Sequence, residues 1–259
     1  MVSSKYLVCI DSDGCAIDSM NVKHFKCFGP IAVTEWELES IEKEFLNRWN
    51  EINLYSETRG INRFLGLAII AEEYKLFGCQ AIKDWTKRTK SLSNDALSSE
   101  TDPGLKKLLS WSIKVNEAIE LLEMPQPFNG VKEVIDFLAS ESDIAIVSSA
   151  NLDAIKNEWT TGNLMDKVSF VMSQKDGSKS HCIASLISKG YDKSKILMIG
   201  DSPGDYEAAN DNNISFYPIT PGKEVESWET LKNQGWEEFK LGMLNPSYVM
   251  AFNNSLGMS

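Results

Sequence analysis

Five short apolar runs, four of them in the second half of the chain, constrain the fold most strongly. They occupy residues 6–10, 144–147, 170–172, 196–199 and 214–217. Short runs of branched residues between polar breakers favour strands that are buried on both faces. Helical patterns at residues 131–139, 153–158, 180–188 and 205–210 separate the later runs. Such repeated strand–helix units predict an α/β fold with a doubly wound, mainly parallel, Rossmann-like sheet of five or more strands.

The segment between the first two runs predicts a separate helical domain. Apolar residues recur at helical spacing in residues 34–53, 61–75, 79–90 and 105–122, and residues 91–104 are polar and small, which is typical of a loop. We therefore expect an all-helical domain at residues 19–125 and a catalytic core built from residues 1–18 and 126–259. The aromatic tail after residue 217 is expected to pack on this core. A dimer contact is the alternative, so both a monomer and a homodimer remain open.

Composition narrows the classes of function. The 259 residues are 42% hydrophobic and 24% charged, as in soluble globular proteins, and the net charge of -11 disfavours nucleic acid and anionic membranes as partners. Five cysteines without a CxxC pair indicate neither a disulfide framework nor a zinc ribbon. The first apolar run is too short for a signal peptide, and no run is long enough to span a bilayer. The expected location is the cytoplasm.

Acidic residues follow two of the predicted strands. Asp11 and Asp13 come after the first strand, and Asp201 and Asp205 come after the run at residues 196–199. Either pair alone is an ordinary turn. Because ligands bind beyond the carboxyl ends of parallel strands, the two pairs together predict carboxylates that converge on a hard cation such as Mg²⁺. Asp11 is then a candidate nucleophile toward phosphorus, and Asp13 a candidate general acid and base.

Two further segments offer groups that can bind phosphate. Ser148 and Ser149 follow the strand at residues 144–147, where a hydroxyl and backbone amides can hold a phosphate oxygen, although helix capping is an alternative. Lys179 precedes a predicted helix and can offset negative charge on the phosphoryl group and the aspartate. Lys175 is a competing candidate for this role.

In their order and strand contexts, these segments resemble the four motifs of the haloacid dehalogenase-like hydrolase superfamily. The matching segments are Asp11-Ser12-Asp13-Gly14, Ser148, Lys179, and Gly200-Asp201 with Asp205. The resemblance implies a phosphatase with Asp11 as nucleophile and Asp13 as acid and base. It also implies Mg²⁺ bound by Asp11, the Asp13 main-chain carbonyl and Asp201, with Asp205 nearby. The chain departs from the pattern at Cys15, where a Thr commonly follows the Gly.

The helical insert corresponds, through the same resemblance, to a mobile cap that selects the substrate. A polar and basic segment of the insert contains Arg59 and Arg63. Residues 60–63 of this segment are similar to a Gly-Val-Ser-Arg segment of β-phosphoglucomutase-like caps. The analogy implies that Arg63 binds a second anionic group of the substrate, with Arg59 nearby. Alternatively, the two arginines pair with Glu57 or Glu73.

The leading hypothesis is a Mg²⁺-dependent phosphatase that hydrolyses a small phosphorylated metabolite through an aspartyl-phosphate. A phosphosugar mutase that uses the same intermediate is the alternative. A catalytically silent phospho-ligand binder on the same fold also remains open. A phosphonate hydrolase and a dehalogenase are disfavoured, the first because no lysine lies between Lys43 and Lys75 and the second because Asp13 and Asp201 are retained.

Overall fold

The computed structural model describes residues 6–258. The chain forms two compact units, one from Met1–Met20 with Met124–Ser259 and the other from Asn21–Glu123. The first unit contains a β-sheet, and the second is helical. Their roles as catalytic core and substrate-selecting cap stay predictions.

The sheet of the first unit has five parallel strands. They are β1 (Tyr6–Ile10), β2 (Ser142–Val147), β3 (Val168–Met172), β4 (Ile196–Gly200) and β5 (Ser215–Pro218). Their order across the sheet is β3-β2-β1-β4-β5, so β1 is central and pairs with both β2 and β4. This arrangement confirms the predicted α/β fold with a parallel, Rossmann-like sheet.

The central strand β1 is apolar at every position because both of its faces are buried. Leu7 and Cys9 lie in one buried cluster, whereas Val8 and Ile10 lie in another, and all four side chains are buried. Alternate residues of a strand point to opposite faces of the sheet. A parallel sheet covered by helices on both faces therefore requires apolar residues at consecutive positions.

The α-helices of the two units range from 4 to 18 residues in length. Within residues 6–258 the α-helices are α1 (Met20–Lys23), α2 (Gly29–Trp36), α3 (Glu42–Leu54), α4 (Arg63–Glu73), α5 (Cys79–Arg88), α6 (Asn94–Ser98), α7 (Pro103–Glu120), α8 (Val131–Ala139), α9 (Leu152–Thr161), α10 (Lys179–Ile187), α11 (Pro203–Asn212), α12 (Glu224–Thr230), α13 (Trp236–Lys240) and α14 (Ser247–Ser255). None of the helices described here combines the length and the apolar character needed to cross a membrane.

The prediction of one helix at residues 34–53 is wrong. Two helices, α2 and α3, occupy this stretch, because Glu37 adopts the left-handed conformation (φ 59°) and ends α2. The amide of Leu38 then bonds the Val33 carbonyl at 2.9 Å, which closes the helix end. A left-handed backbone is locally unfavourable for a glutamate. The sequence has no glycine or proline at this position, so it gives no local sign of the break.

The prediction of an uninterrupted loop at residues 91–104 is also wrong in part. The short helix α6 lies within it, and Ser93 caps this helix by accepting a hydrogen bond from the Ala96 amide at 3.3 Å. Leu97 of α6 is buried in the core of the helical unit, and this burial stabilises a helix within an otherwise polar segment.

The aromatic tail packs on the sheet, as predicted. Trp228, Trp236 and Phe239 belong to the same buried cluster as the strand residues of one face. The rings of Trp236 and Phe239 meet the ring of Tyr6, at the start of β1, with centroid distances of 5.4 and 5.8 Å. The tail is thus part of the core of the sheet unit.

Candidate active site

The strand order brings the two acidic segments together. Strands β1 and β4 are hydrogen-bonded neighbours, and the Asp11 amide continues their ladder by donating to the Ile199 carbonyl at 3.0 Å. The chain leaves β1 toward Asp11 and leaves β4 toward Asp201 at the same edge of the sheet. This is the position at which the strand order reverses, where open α/β sheets bind their ligands.

Three carboxylates gather at this edge. Oxygen atoms of Asp11, Asp201 and Asp205 lie within 4.8 Å of one another. Asp11 is 4% exposed, and the other two are fully buried. Burial of three like charges is strongly unfavourable without a compensating cation.

Lys179 provides part of this compensation. Its ammonium lies 3.0 Å from Asp11 Oδ2 and 2.6 Å from Asp205 Oδ1, at the first residue of α10. The competing candidate Lys175 is exposed and forms no ion pair within the described residues. The structure therefore brings Lys179, and not Lys175, to the carboxylate cluster.

Asp205 is fixed in place by the start of α11. Its Oδ2 accepts hydrogen bonds from the Ser202 amide at 3.1 Å and from the Ser202 hydroxyl at 2.6 Å. Gly200 leaves room for this carboxylate, since a Cβ at that position would lie 2.3 Å from Asp205 Cγ. The Gly-Asp sequence that follows β4 is thus a packing requirement of the cluster as well as a turn.

Proton affinities at the cluster reflect burial and charge together. Burial raises the pKa of Asp11 well above its usual range, and the Asp205 and Asp201 carboxylates raise it further, while Lys179 lowers it. Burial alone would lower the pKa of Lys179, but Asp11 and Asp205 raise it above its ordinary value. Lys179 is consequently held as a cation.

The donor set fits a hard divalent cation. Three carboxylates face a single ammonium, so negative charge is in excess, and all candidate ligand atoms are oxygens. Mg²⁺ prefers oxygen ligands and is bound by a few carboxylates. Asp205 Oδ2 accepts two hydrogen bonds from Ser202, whereas Oδ1 accepts one from Lys179 and retains a lone pair. Asp205 therefore remains in the candidate set with Asp11 and Asp201 through Oδ1.

The other predicted core residues lie near strand ends but outside the carboxylate cluster. The Asp13 carboxylate is not part of it and accepts a hydrogen bond from the Ser19 hydroxyl. Ser148 follows β2, is buried, and accepts a hydrogen bond from the Ala150 amide at 3.1 Å, whereas Ser149 is exposed. Their roles in acid–base chemistry and phosphate binding stay predictions, as does the Asp13 carbonyl as a metal ligand.

The two predicted cap arginines differ in their surroundings inside the helical unit. Arg59 is 4% exposed and donates to the Leu54 carbonyl at 2.8 Å. Arg63 begins α4, donates to Asn116 Oδ1 at 2.7 Å, and forms no ion pair within residues 6–258. Burial lowers the pKa of Arg63 to about 10, so its guanidinium is still charged at neutral pH.

The alternative pairing for these arginines is contradicted at one position. Glu73 is held by Arg48, which donates to its two oxygens at 2.8 and 2.7 Å. Arg63 therefore does not pair with Glu73. Binding of substrate by Arg59 and Arg63 stays a prediction.

Sequence reasoning missed several residues that support the site. Ser202, which follows Asp201, forms a capping box with Asp205, and this serine–aspartate spacing is visible in the sequence. Two indoles, Trp159 and Trp228, bond the segment after Asp11. No local pattern identifies them, because 147 and 213 residues separate them from their partners.

Comparison with known proteins now assigns the family. The family described as haloacid dehalogenase-like hydrolase matches residues 62–219, which is more than half of the chain. The chain belongs to this family of hydrolases. The matched region contains Lys179, Asp201 and Asp205 and excludes Asp11 and Asp13. A comparison with curated proteins finds no match.

Solved structures show the same fold at low sequence identity. A candidate phosphoglycolate phosphatase from Lactobacillus delbrueckii gives a TM-score of 0.58 at 12% identity, covering 93% of this chain and 99% of that one. A candidate β-phosphoglucomutase from Thermotoga maritima gives 0.51 at 16% identity, with coverages of 86% and 91%. The candidate hydrolase YfnB from Bacillus subtilis, bound to magnesium, gives 0.51 at 11% identity, with coverages of 89% and 100%.

We expect Mg²⁺ to raise the melting temperature of the metal-free protein, because the cation binds the folded carboxylate cluster and not the unfolded chain. At a hundredfold excess over Kd the gain is about 2.7 kcal/mol, or roughly 5–10 °C. Differential scanning fluorimetry in MgCl₂ and in chelator measures the shift. Asp201→Asn should lose most of it.

The matched control is Asp211→Asn, which alters an exposed carboxylate on α11 and should keep the full shift. An equal shift in both variants would mean that Mg²⁺ binds elsewhere. No shift in the parent protein would mean that the cluster does not hold this cation.

Proposed function

We propose that the protein is a Mg²⁺-dependent phosphatase that hydrolyses a small phosphorylated metabolite through a phosphoryl group carried on Asp11. Membership of the haloacid dehalogenase-like hydrolase family supports hydrolysis as the reaction class. The observation that carries the proposal is the 3.0 Å contact between Lys179 and Asp11 inside the buried carboxylate cluster. This contact places a positive charge beside the proposed nucleophile, where it opposes the rise in pKa that burial and the two other carboxylates impose on Asp11.

The first step transfers the phosphoryl group to the enzyme. An Asp11 oxygen attacks phosphorus and forms the new P–O bond, while the bond from phosphorus to the alcohol oxygen of the substrate breaks. Asp13 gives its proton to that leaving oxygen, so the product departs as a neutral alcohol. Lys179 offsets the negative charge that remains on the phosphoryl oxygens and on Asp205.

The second step restores the enzyme. Asp13, now ionised, takes a proton from water as that water attacks phosphorus, and the bond between phosphorus and Asp11 breaks. Inorganic phosphate leaves, with Asp11 as a carboxylate and Asp13 protonated again. A Mg²⁺ held by Asp11 and Asp201, with Asp205 beside them, would supply the charge neutralisation that lets a phosphate dianion approach these acids.

Arg63 is our candidate for a second anionic group of the substrate. Its guanidinium has a neutral amide, Asn116, as its hydrogen-bond acceptor, and no carboxylate of the described residues pairs with it. A half-buried guanidinium with that environment is complemented by a carboxylate or phosphate, which can accept two parallel hydrogen bonds. Phosphoglycolate, the substrate named for the Lactobacillus delbrueckii structure, has this doubly anionic character and belongs in any substrate panel.

The direct test is phosphate release from a panel of phosphorylated metabolites, including phosphoglycolate and sugar phosphates. We expect release in the presence of Mg²⁺, none with chelator, and a loss on the order of a thousandfold or more in Asp11→Asn. Asp211→Asn, with its exposed carboxylate, is the matched control and should retain parent activity. Circular dichroism confirms that each variant is folded.

Other outcomes would point to the alternatives. Transfer of phosphate to an added sugar phosphate, without release into water, would identify a mutase. Stabilisation by phosphorylated ligands with neither release nor transfer would identify a silent binder. Activity that survives in Asp11→Asn would overturn the proposed nucleophile.

Replacing Arg63 by alanine should raise KM for a doubly anionic substrate such as phosphoglycolate by roughly 10- to 100-fold, since a charge-assisted hydrogen bond contributes about 1.5–3 kcal/mol. The KM for p-nitrophenyl phosphate, which has no second anion, should stay within twofold. Steady-state kinetics on both substrates measure the difference. Arg88→Ala, which removes an exposed arginine paired with Glu100, is the control. Equal losses on both substrates would contradict the assignment.

A further inference from the structure

The segment that joins Asp11 to Asp13 is a tight, buried loop that continues to Ile17. Its backbone folds around the Ser12 carbonyl, which accepts hydrogen bonds from the amides of residues 15, 16 and 17 at 3.4, 3.1 and 2.9 Å. Gly14, with φ 78°, permits this turn. Asp11 is anchored by the sheet ladder, whereas Asp13 lies beyond the strand and takes its position from the loop.

Two tryptophan side chains donate to this loop from the core of the sheet unit. Trp159 Nε1 donates to Ser12 Oγ at 2.9 Å, and Trp228 Nε1 donates to the Cys15 carbonyl at 2.9 Å. Both indoles and both acceptor residues are fully buried. The two acceptors are therefore Ser12, the residue before Asp13, and Cys15, the second residue after it.

An indole is suited to fixing a loop in this way. Its N–H can only donate, and its large rigid ring is held by the surrounding core, so the direction of the bond is set by packing. A buried acceptor that loses its donor finds no water to replace it. Each indole therefore restrains the loop in a defined direction as well as filling space.

One of these donors comes from a part of the chain that the family match does not include. Trp228 lies on α12, after β5, whereas the match ends at residue 219. The ring of Trp228 belongs to the same buried cluster as Val8 and Ile10 of β1. The C-terminal segment thus reaches the loop that carries the predicted acid and base.

We propose that Trp159 and Trp228 are positioning residues, whose indole N–H groups hold the loop from Asp11 to Ile17 so that Asp13 is correctly placed relative to Asp11. The inference rests on the proposed phosphatase function for its catalytic consequence. Its structural part, restraint of the loop, is independent of that function. Misplacement of a reacting group by a small distance is sufficient to slow a reaction strongly.

The test removes one N–H and keeps an aromatic ring. Trp228→Phe should lower kcat about tenfold with KM within twofold, because the substrate still binds while Asp13 is less well placed. Hydrogen–deuterium exchange should become faster at the amides of residues 14–17. Trp159→Phe should give the same pattern through Ser12.

Trp236→Phe is the matched control, since Trp236 is equally buried in the C-terminal segment but donates to Glu141 at 3.0 Å and not to the loop. It should change neither kcat nor loop exchange. Equal effects in Trp228→Phe and Trp236→Phe, or no effect in Trp228→Phe, would overturn the inference. If the parent protein releases no phosphate from any substrate, the proposed function is wrong. The hydrogen–deuterium exchange measurement then tests by itself whether the indoles restrain the loop.

Discussion

The site depends on the burial of an ammonium among carboxylates. Lys179 contacts Asp11 and Asp205 at 3.0 and 2.6 Å, in a region where these acids are 4% exposed or less. Removing one partner of a buried ion pair typically costs about 3–5 kcal/mol, because the remaining charge is left uncompensated. Even with Lys179 present, three carboxylates outnumber one ammonium, and this excess of negative charge favours binding of a divalent cation. Stability and the proposed chemistry are thus linked through the same charges.

The parallel sheet is what assembles these charges from distant parts of the sequence. Asp11 follows the central strand and Asp201 follows its neighbour, so the paired strands deliver both to one edge. Lys179 arrives at the start of a helix, and the Ser202–Asp205 capping box orients the carboxylate that it meets. Short-range sequence patterns mark each strand end and helix start, which explains why the fold and the family could be predicted from sequence. The structure brings Asp11, Asp201 and Asp205 together but leaves the Asp13 carboxylate outside this group, and the sequence alone did not decide between Lys179 and Lys175.

Other features could not be predicted, because they depend on contacts between residues far apart in the chain. The break after Trp36 has no glycine or proline, and the left-handed Glu37 is tolerated in the packed helical unit. The indole of Trp36 donates to the Phe77 carbonyl at 3.1 Å, a contact that spans 41 residues. Likewise, the bonds from Trp159 and Trp228 to the loop after Asp11 follow from tertiary packing alone. The sequence predicts that the aromatic tail packs in the core, but it does not predict that Trp228 of this tail bonds the loop from Asp11 to Ile17.

The most direct test of the account is to identify the residue that carries phosphate during turnover. Acid quenching of the enzyme with a hydrolysed substrate, followed by peptide mass spectrometry, would locate a covalent phosphoryl group. We expect this group on Asp11, and its absence in Asp11→Asn. Turnover with a phosphoryl group on another residue, or with none on the enzyme, would contradict it.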